Sequence, residues 1–462
     1  MNTNYPRILL AGTNSRVGKT TLTMGLISAL KKRGLTVQPF KAGPDYIDSS
    51  YHGYVSGRSC RNLDTWMLSR DTVLELFQRQ AEQSDISVVE GVMGLYDGVA
   101  AKEEGSSAHL AKILKSPVIL VVDARSLSRS AAAVVLGYKE FDRDVDLKGV
   151  ILNNIGSSAH FRSVKYSIEK TKGLAVLGFL PKDVNLNLRE RHLGLIPAQE
   201  KRPLNALLKT ITQLVEDNID VGRIIAMSRG SAQLPDFKPR LFSRKALQLK
   251  ANIAIAKDAA FNFYYQDNLD LLSYYGAKLS EFSPLKDKAL PAGVNGIYIG
   301  GGFPELFARR LAKNIALKND ILRRSREGMP VYAECGGLMY LMKNIVNCRN
   351  KNFAMTGVFD SSVKLGSKLS ALGYVNIKVI KNNILSEKNT RARAHVFHWS
   401  YLEKLPGKTN FAYCLRKNGR IIDDGFLKWN VLASYAHLHF AAYPKFAKNF
   451  IHNCQTYAQK NQ

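Results

Sequence analysis

Two segments carry residue types whose spacing suits chemistry. The first, Gly12-Thr13-Asn14-Ser15-Arg16-Val17-Gly18-Lys19-Thr20-Thr21, follows an apolar run at 8–11 and precedes a helical pattern at 22–32. Small residues there let backbone N–H groups curl around phosphate oxygens, a helix start adds partial positive charge, and a lysine neutralises the phosphates. Gly12, Thr13, Val17, Gly18, Lys19, Thr20 and Thr21 are therefore expected to hold a nucleotide, with the Thr20 hydroxyl on Mg2+. The first glycine stands one position earlier than the usual P-loop spacing requires, so Thr13 takes that place.

The second segment is Pro330-Val331-Tyr332-Ala333-Glu334-Cys335-Gly336-Gly337-Leu338-Met339, a strand pattern that runs through a cysteine into a glycine pair and a helix. That is the form of a nucleophile elbow, which exposes a thiol where a helix start favours the thiolate. Ile297-Tyr298-Ile299-Gly300-Gly301-Gly302 puts a glycine cluster at another strand end, where backbone N–H groups can face a developing oxyanion. Gly301, Gly302 and Gly336 are the expected oxyanion residues. A thiol nucleophile needs a base, and Ala433-Ser434-Tyr435-Ala436-His437-Leu438-His439-Phe440 offers two histidines at period-2 spacing, on one face of an extended segment.

Carboxylates gather where strand-like runs end: Asp45 and Asp48 after 37–40, Asp64 beyond, Glu90 after 86–89, and then Asp97. In a parallel sheet these loops share the edge that carries the phosphate loop. Phosphoryl transfer needs acids to hold Mg2+ and cations to stabilise the moving phosphoryl, and Lys41 is suitably placed for the latter.

The elements that must position these residues are legible as a rhythm. Short apolar runs at 8–11, 37–40, 86–89, 118–122, 150–152 and 176–180 alternate with amphipathic stretches, the βαβ pattern of a parallel sheet covered by helices. The pattern fades between 220 and 249 into a basic stretch containing Pro and Ser, then resumes at 253–256, 296–299 and 331–333. Two α/β domains are expected, 1–240 and 250–462, as suits a chain of 462 residues.

With 45% hydrophobic and 23% charged residues the chain has a globular composition, and no apolar run approaches the length of a membrane span. The start shows no export signal, and five widely spaced cysteines without CxxC pairs argue against a disulfide framework or a zinc site. A cytoplasmic protein without membrane association is expected. The net charge of +28 comes from scattered Lys and Arg, which suits a basic surface or a polyanionic substrate rather than nucleic acid.

At this point a family resemblance enters. Phe40-Lys41-Ala42-Gly43-Pro44-Asp45-Tyr46-Ile47-Asp48, Arg61-Asn62-Leu63-Asp64-Thr65-Trp66-Met67 and Glu90-Gly91-Val92-Met93-Gly94-Leu95-Tyr96-Asp97-Gly98 resemble the cobyrinic acid a,c-diamide synthase family. Gly105-Ser106-Ser107-Ala108-His109-Leu110-Ala111-Lys112 and Glu190-Arg191-His192-Leu193-Gly194-Leu195 extend the resemblance over nearly the whole chain. It implies an N-terminal P-loop domain similar to dethiobiotin synthetase, whose loop has the same displaced glycine, and a C-terminal domain similar to class I glutamine amidotransferases. It further implies ATP and Mg2+ as cofactors, with Thr20, Asp45 and Glu90 on the metal. Lys41 would join the nucleotide site, Asn153 would sit near the adenine, and Tyr46, Asp48, Asp64 and Asp97 would face the substrate carboxylate or its acyl phosphate. Relatives often carry a small residue where Arg16 stands, and Arg where Asn154 stands.

The same resemblance aligns His437 with the activating base. Many class I relatives have an acid two residues further on, where this sequence has His439, so a Cys335–His437 dyad is predicted. His395 and His398 match a segment usually read His-Glu-Phe-His, with Val396 in place of the Glu, and are read as structural or substrate-contacting. The implied activity is glutamine- and ATP-dependent amidation of the a and c acetate carboxylates of cobyrinic acid in cobalamin biosynthesis. The implied partners are a cobyrinic acid-type tetrapyrrole and L-glutamine, and a homodimer is compatible with this reading. Hydrogenobyrinic acid or another a,c-diacetate tetrapyrrole is the alternative substrate. A P-loop partition or carrier ATPase is the competing class, and the Cys335 elbow argues against it.

Overall fold

The computed structural model describes residues 4–170, 174–182, 190–191, 194–195, 201–242, 249–403, 405 and 409–461, with backbone only for 190–191, 194–195 and 201–203. His192 and Leu193 of the family-like segment lie outside the described residues. The chain divides into two compact units, Met1–Arg240 and Leu241–Gln462.

In the first unit the predicted rhythm becomes strands β1 (Arg7–Gly12), β2 (Val37–Ala42), β3 (Arg61–Leu63), β4 (Ile86–Gly94), β5 (Val118–Asp123), β6 (Leu147–Ile155) and β7 (Ala175–Pro181). They form one sheet in the order β3-β2-β4-β1-β5-β6-β7, and its pairings are parallel throughout. A parallel sheet is covered on both faces, so its strands read as continuous apolar runs, and all six residues of β1 are buried. The connecting helices are α1 (Lys19–Lys32), α2 (Ile47–Ser56), α3 (Arg70–Ala81), α4 (Ser107–Leu114), α5 (Ser130–Phe141), α6 (Ser158–Glu169), α7 (Lys201–Asn218) and α8 (Val221–Arg229). Two short strands, β8 (Glu190–Arg191) and β9 (Gly194–Leu195), pair antiparallel. Gly25 lets α1 meet α7 closely, since a Cβ there would stand 2.4 Å from Ile211 Cγ2.

The second unit has a ten-stranded sheet. Its parallel half runs β11 (Ala277–Phe282), β10 (Ala251–Ala256), β12 (Gly296–Ile299), β13 (Val331–Glu334) and β22 (Val431–Ser434). It continues antiparallel through β21 (Arg420–Lys428), β20 (Phe411–Lys417), β17 (Ala371–Val379), β18 (Arg391–His398) and β23 (His437–Leu438). A smaller sheet holds β15 (Asn352–Ala354), β14 (Met342–Val346), β16 (Phe359–Leu365) and β19 (Ser400–Leu402). The helices are α9 (Gln266–Tyr274), α10 (Ala308–Lys313), α11 (Ile315–Arg326), α12 (Gly336–Leu341) and α13 (Lys445–Lys460). The core packs Ile297, Ile299, Val331 and Ala333 against Leu338 and Met339, and Cys335 sits within it. Among the described residues no helix is long and apolar enough to cross a membrane.

Candidate active site

Register brings the first set of groups together. Lys41 on β2 pairs with Glu90 on β4, and Glu90 with Leu10 on β1, so the ends of adjacent strands deliver an ammonium and a carboxylate beside the loop that follows β1. Lys41 Nζ lies 2.8 Å from Glu90 Oε1 and 2.7 Å from Asp48 Oδ2, and donates to the Gly91 carbonyl at 3.1 Å. The Thr20 hydroxyl donates to Glu90 Oε1 at 3.0 Å, while His52 Nε2 meets Glu90 Oε2. Lys41, Glu90 and His52 are almost wholly buried.

Electrostatics follow from that burial. Burial works against the Lys41 charge, but Asp48, Glu90 and Asp45 outweigh it and hold the ammonium protonated, above its ordinary range. Burial likewise works against the Glu90 carboxylate, yet Lys41 and His52 hold it below the usual range. Asp48 goes the other way, pushed up to about 7 by burial and by Asp45. Burial brings Lys19 down to about 8.

The loop itself has the form that sequence predicts. Gly18 caps α1 at φ 93°, a conformation that favours glycine, and a Cβ there would stand 2.3 Å from Asn153 Nδ2. Lys19 Nζ arches back to donate to the carbonyls of Asn14 at 3.0 Å and Met93 at 2.6 Å. Asn153, on β6, donates its side-chain amide to the Val17 carbonyl at 2.8 Å and so braces the loop. Asn154 Nδ2 donates to Asp123 Oδ1 at 3.0 Å.

The other predicted acids have local duties as well. Asp45 Oδ1 accepts from the N–H groups of Ile47 and Asp48 at 2.8 and 2.9 Å, capping the start of α2. Asp64, fully buried, accepts from Trp66 and Met67 N–H at 2.9 and 2.7 Å. Asp97 Oδ2 accepts from Gly94 N–H at 2.8 Å. Among the described residues no group of three or more His, Cys, Asp or Glu is arranged to enclose a metal ion. Mg2+ at a nucleotide needs only one or two protein oxygens beside phosphates and water, and Thr20 Oγ1 and Glu90 Oε1 stand 3.0 Å apart. The residues present fit such an ion.

In the second unit β13 ends at Cys335, whose backbone takes φ 47° and ψ −101° before α12 begins. A non-glycine residue held there is strained, as in a nucleophile elbow. Glycines make the bend possible: a Cβ on Gly337 would lie 2.3 Å from the Ile299 carbonyl, and one on Gly336 would lie 3.0 Å from Gly302 N. Gly301 lies under the His437 ring, where a Cβ would stand 2.7 Å from Cε1. Cys335 Sγ lies 3.7 Å from the Phe397 carbonyl of β18.

His437 is set by three elements. Its residue pairs with His395 across β18 and β23. The approach to it is fixed by Asp424 of β21, a buried carboxylate that accepts from the Ser434 hydroxyl at 2.7 Å and from Tyr435 and Ala436 N–H at 3.2 and 3.3 Å. Burial opposes charge on the imidazole, but the nearby Cys335 and Glu334 push it up to about 10. Burial instead takes His395 down to about 3 and His398 down to about 4. His398 stacks on Tyr435 with centroids 3.8 Å apart.

Residues 8–196 match the CobQ/CobB/MinD/ParA nucleotide binding domain, and 252–445 match the CobB/CobQ-like glutamine amidotransferase domain. The chain is 43% identical over 454 residues to the cobyrinate a,c-diamide synthase of Caldanaerobacter subterraneus subsp. tengcongensis, covering 98% of this chain and 99% of that one. The chain belongs to the cobyrinate a,c-diamide synthase family. Its identity to the enzyme of the same name from Dehalococcoides mccartyi strain CBDB1 is 44% over 456 residues, covering 97% of this chain and 98% of that one. For that of Methanosarcina barkeri strain Fusaro it is 40% over 474 residues, covering 97% and 96%.

In this cobyrinate a,c-diamide synthase family member the fold gathers Thr20, Lys41, Asp48 and Glu90 into one cluster, and Cys335 and His437 into another. His437 and His439 do not share a partner: His439 stacks on Tyr265 at 4.6 Å and faces Asp267, with Nε2 3.9 Å from Oδ2. Sequence reasoning missed His52 and Glu334. His52 stands four residues after Asp48 on α2, the spacing that puts two side chains on one helix face, and that signal could have found it.

Proposed function

We propose that this chain converts the a and c acetate carboxylates of cobyrinic acid to carboxamides, using ATP and glutamine, as a cytoplasmic step of cobalamin biosynthesis. One observation carries the reading: a single chain holds both a phosphate loop with the Lys41–Glu90–Thr20 cluster and a strained Cys335 elbow with His437 as its neighbour. Each cluster supplies one half of an amide synthesis.

In the glutaminase half, the Cys335 thiolate attacks the side-chain amide carbon of glutamine. The backbone N–H groups at Gly301, Gly302 and Gly336 receive the oxyanion, and His437 gives its proton to the departing ammonia. The glutamyl thioester then takes up water, activated by His437, and releases glutamate and the thiol. His395, paired with His437 across β18 and β23, and His398 have pKa values lowered by burial and serve as structural or substrate-contacting residues.

In the synthetase half, a substrate carboxylate oxygen attacks the γ-phosphorus of ATP, and ADP leaves. Ammonia displaces phosphate from the acyl phosphate to give the amide. Gly12, Thr13, Val17, Gly18, Lys19, Thr20 and Thr21 cradle the phosphates, Lys41 offsets charge on the moving phosphoryl, and Asn153 borders the adenine. Thr20, Glu90 and Asp45 would hold a Mg2+ ion, which would neutralise charge on the phosphate oxygens. Tyr46, Asp48, Asp64 and Asp97 line the side from which the carboxylate approaches. The test is a panel of a,c-diacetate tetrapyrroles incubated with ATP and glutamine and read by mass spectrometry. Conversion of cobyrinic acid to a diamide supports the reading, and failure to amidate it while another ring is amidated contradicts it.

A further inference from the structure

We propose that Glu334, the residue immediately before the nucleophile, supplies the carboxylate that orients His437 during glutamine hydrolysis. The proposal rests on the roles given above to Cys335 and His437. Glu334 is fully buried at the end of β13. Its Oε1 accepts from Leu438 N–H at 3.0 Å and from the Tyr332 hydroxyl, and its Oε2 accepts from the Tyr298 hydroxyl at 3.2 Å. The same Oε2 stands 3.6 Å from His437 Nδ1.

The geometry divides the ring between two partners. Nδ1 faces Glu334, while Cε1 and Nε2 lie over Gly301, where a Cβ would be 2.7 Å from Cε1 and 3.6 Å from Nε2, and Cys335 is the ring's other interacting group. A base whose one nitrogen serves the nucleophile and whose other faces a carboxylate is the arrangement that fixes a tautomer and stabilises the imidazolium. The position two residues after His437 cannot do this, because His439 is turned to Tyr265 and Asp267 and its Nδ1 accepts from Ala441 N–H at 3.3 Å.

A purely structural role is the rival explanation, since Glu334 also ties β12 and β13 to the segment that carries His437. Three observations favour positioning. The carboxylate holds the backbone of Leu438, the next residue to His437, so ring and backbone are anchored to one group. Burying a carboxylate is unfavourable unless it is hydrogen-bonded and paired, and the imidazolium is the cation facing it. The protonated state of His437 is favoured by both Cys335 and Glu334 against its burial. Cys335, Glu334, His395 and His398 are the titratable groups facing or flanking the ring, and the last two stay neutral above pH 4 or so by the same burial.

The experiment compares glutaminase kinetics of the full chain with those of Glu334→Gln, Glu334→Asp and Cys335→Ser. For Glu334→Gln the proposal expects kcat to fall on the order of 10²-fold with the KM for glutamine little changed. The basic limb of its pH–kcat profile should move to lower pH, because His437 loses the anion that holds its proton, and Glu334→Asp should restore part of both. A folded Glu334→Gln with unchanged kcat and pH profile, beside an inactive Cys335→Ser, overturns the role of Glu334 alone. A Cys335→Ser that still hydrolyses glutamine instead removes the reading on which it rests. The wild type gives a readout that needs no folded variant at position 334: a far-downfield Nδ1–H proton resonance, assigned by its loss in His437→Gln. Its presence supports the hydrogen bond to Glu334 and its absence overturns it.

Discussion

Lys41 Nζ lies 2.8 Å from Glu90 Oε1 across neighbouring parallel strands, and the same ammonium holds Asp48 Oδ2 at 2.7 Å. One buried cation thus neutralises two buried carboxylates at the foot of the phosphate loop. Lys41→Met leaves Asp48 without this cation and Glu90 with His52 alone, and removing one partner of a buried pair destabilises by about 3–5 kcal/mol. The expected result is an earlier unfolding transition in calorimetry and loss of amidation with glutamine or ammonia as nitrogen donor. An unchanged transition would mean that the cluster is not held together by this cation.

Lys19→Ala and Glu90→Ala should abolish amidation with either nitrogen donor, because both residues are assigned to the nucleotide and the acyl phosphate rather than to the release of ammonia. Coupled assays of ADP release and amide formation check this. Retained ammonia-dependent amidation in either variant contradicts the assignment.

Much of this is legible in the sequence. The apolar runs at 8–11, 37–40, 86–89 and 118–122 lie inside β1, β2, β4 and β5, because a strand buried on both faces must be apolar along its length. The same logic hid the antiparallel half of the second sheet. In β17 and β18 buried and exposed positions are mixed, and Lys378, Arg391 and Arg393 break any apolar run, so these strands give no comparable signal. Glu334 was hidden for a different reason. The acid stands beside Cys335 in the sequence, but its tie to His437 depends on the tyrosines of β12 and β13 and on the return of β23, all long-range relationships.

Asp48→Asn and Asp97→Asn should lower kcat more than they raise the KM for ATP, since charge is lost while shape is kept. The two positions differ in kind. Asp48 is buried against Lys41, whereas Asp97 is exposed and braced by Gly94 N–H, so Asp48→Asn should have the larger effect. Steady-state kinetics decide this, and an unchanged kcat in both variants rejects their place at the substrate carboxylate. If the singly amidated product leaves and rebinds between the two reactions, free monoamide should accumulate early in the same time courses.

His437→Gln should slow the alkylation of Cys335 by iodoacetamide at neutral pH. The sign follows from the imidazolium, whose proton Cys335 and Glu334 favour against burial, since a cation beside a thiol raises its reactivity. A rate equal to that of the wild type would show that the ring does not activate this cysteine.

The central claim is that two separate sites cooperate, with Cys335 releasing ammonia and the phosphate-loop cluster activating the carboxylate. Cys335→Ser given cobyrinic acid and ATP tests it most directly, with glutamine and ammonium salt supplied in turn and the products read by mass spectrometry. The account predicts no amide from glutamine and the a,c-diamide from ammonia at close to the wild-type rate. Equal loss with both nitrogen donors would contradict it.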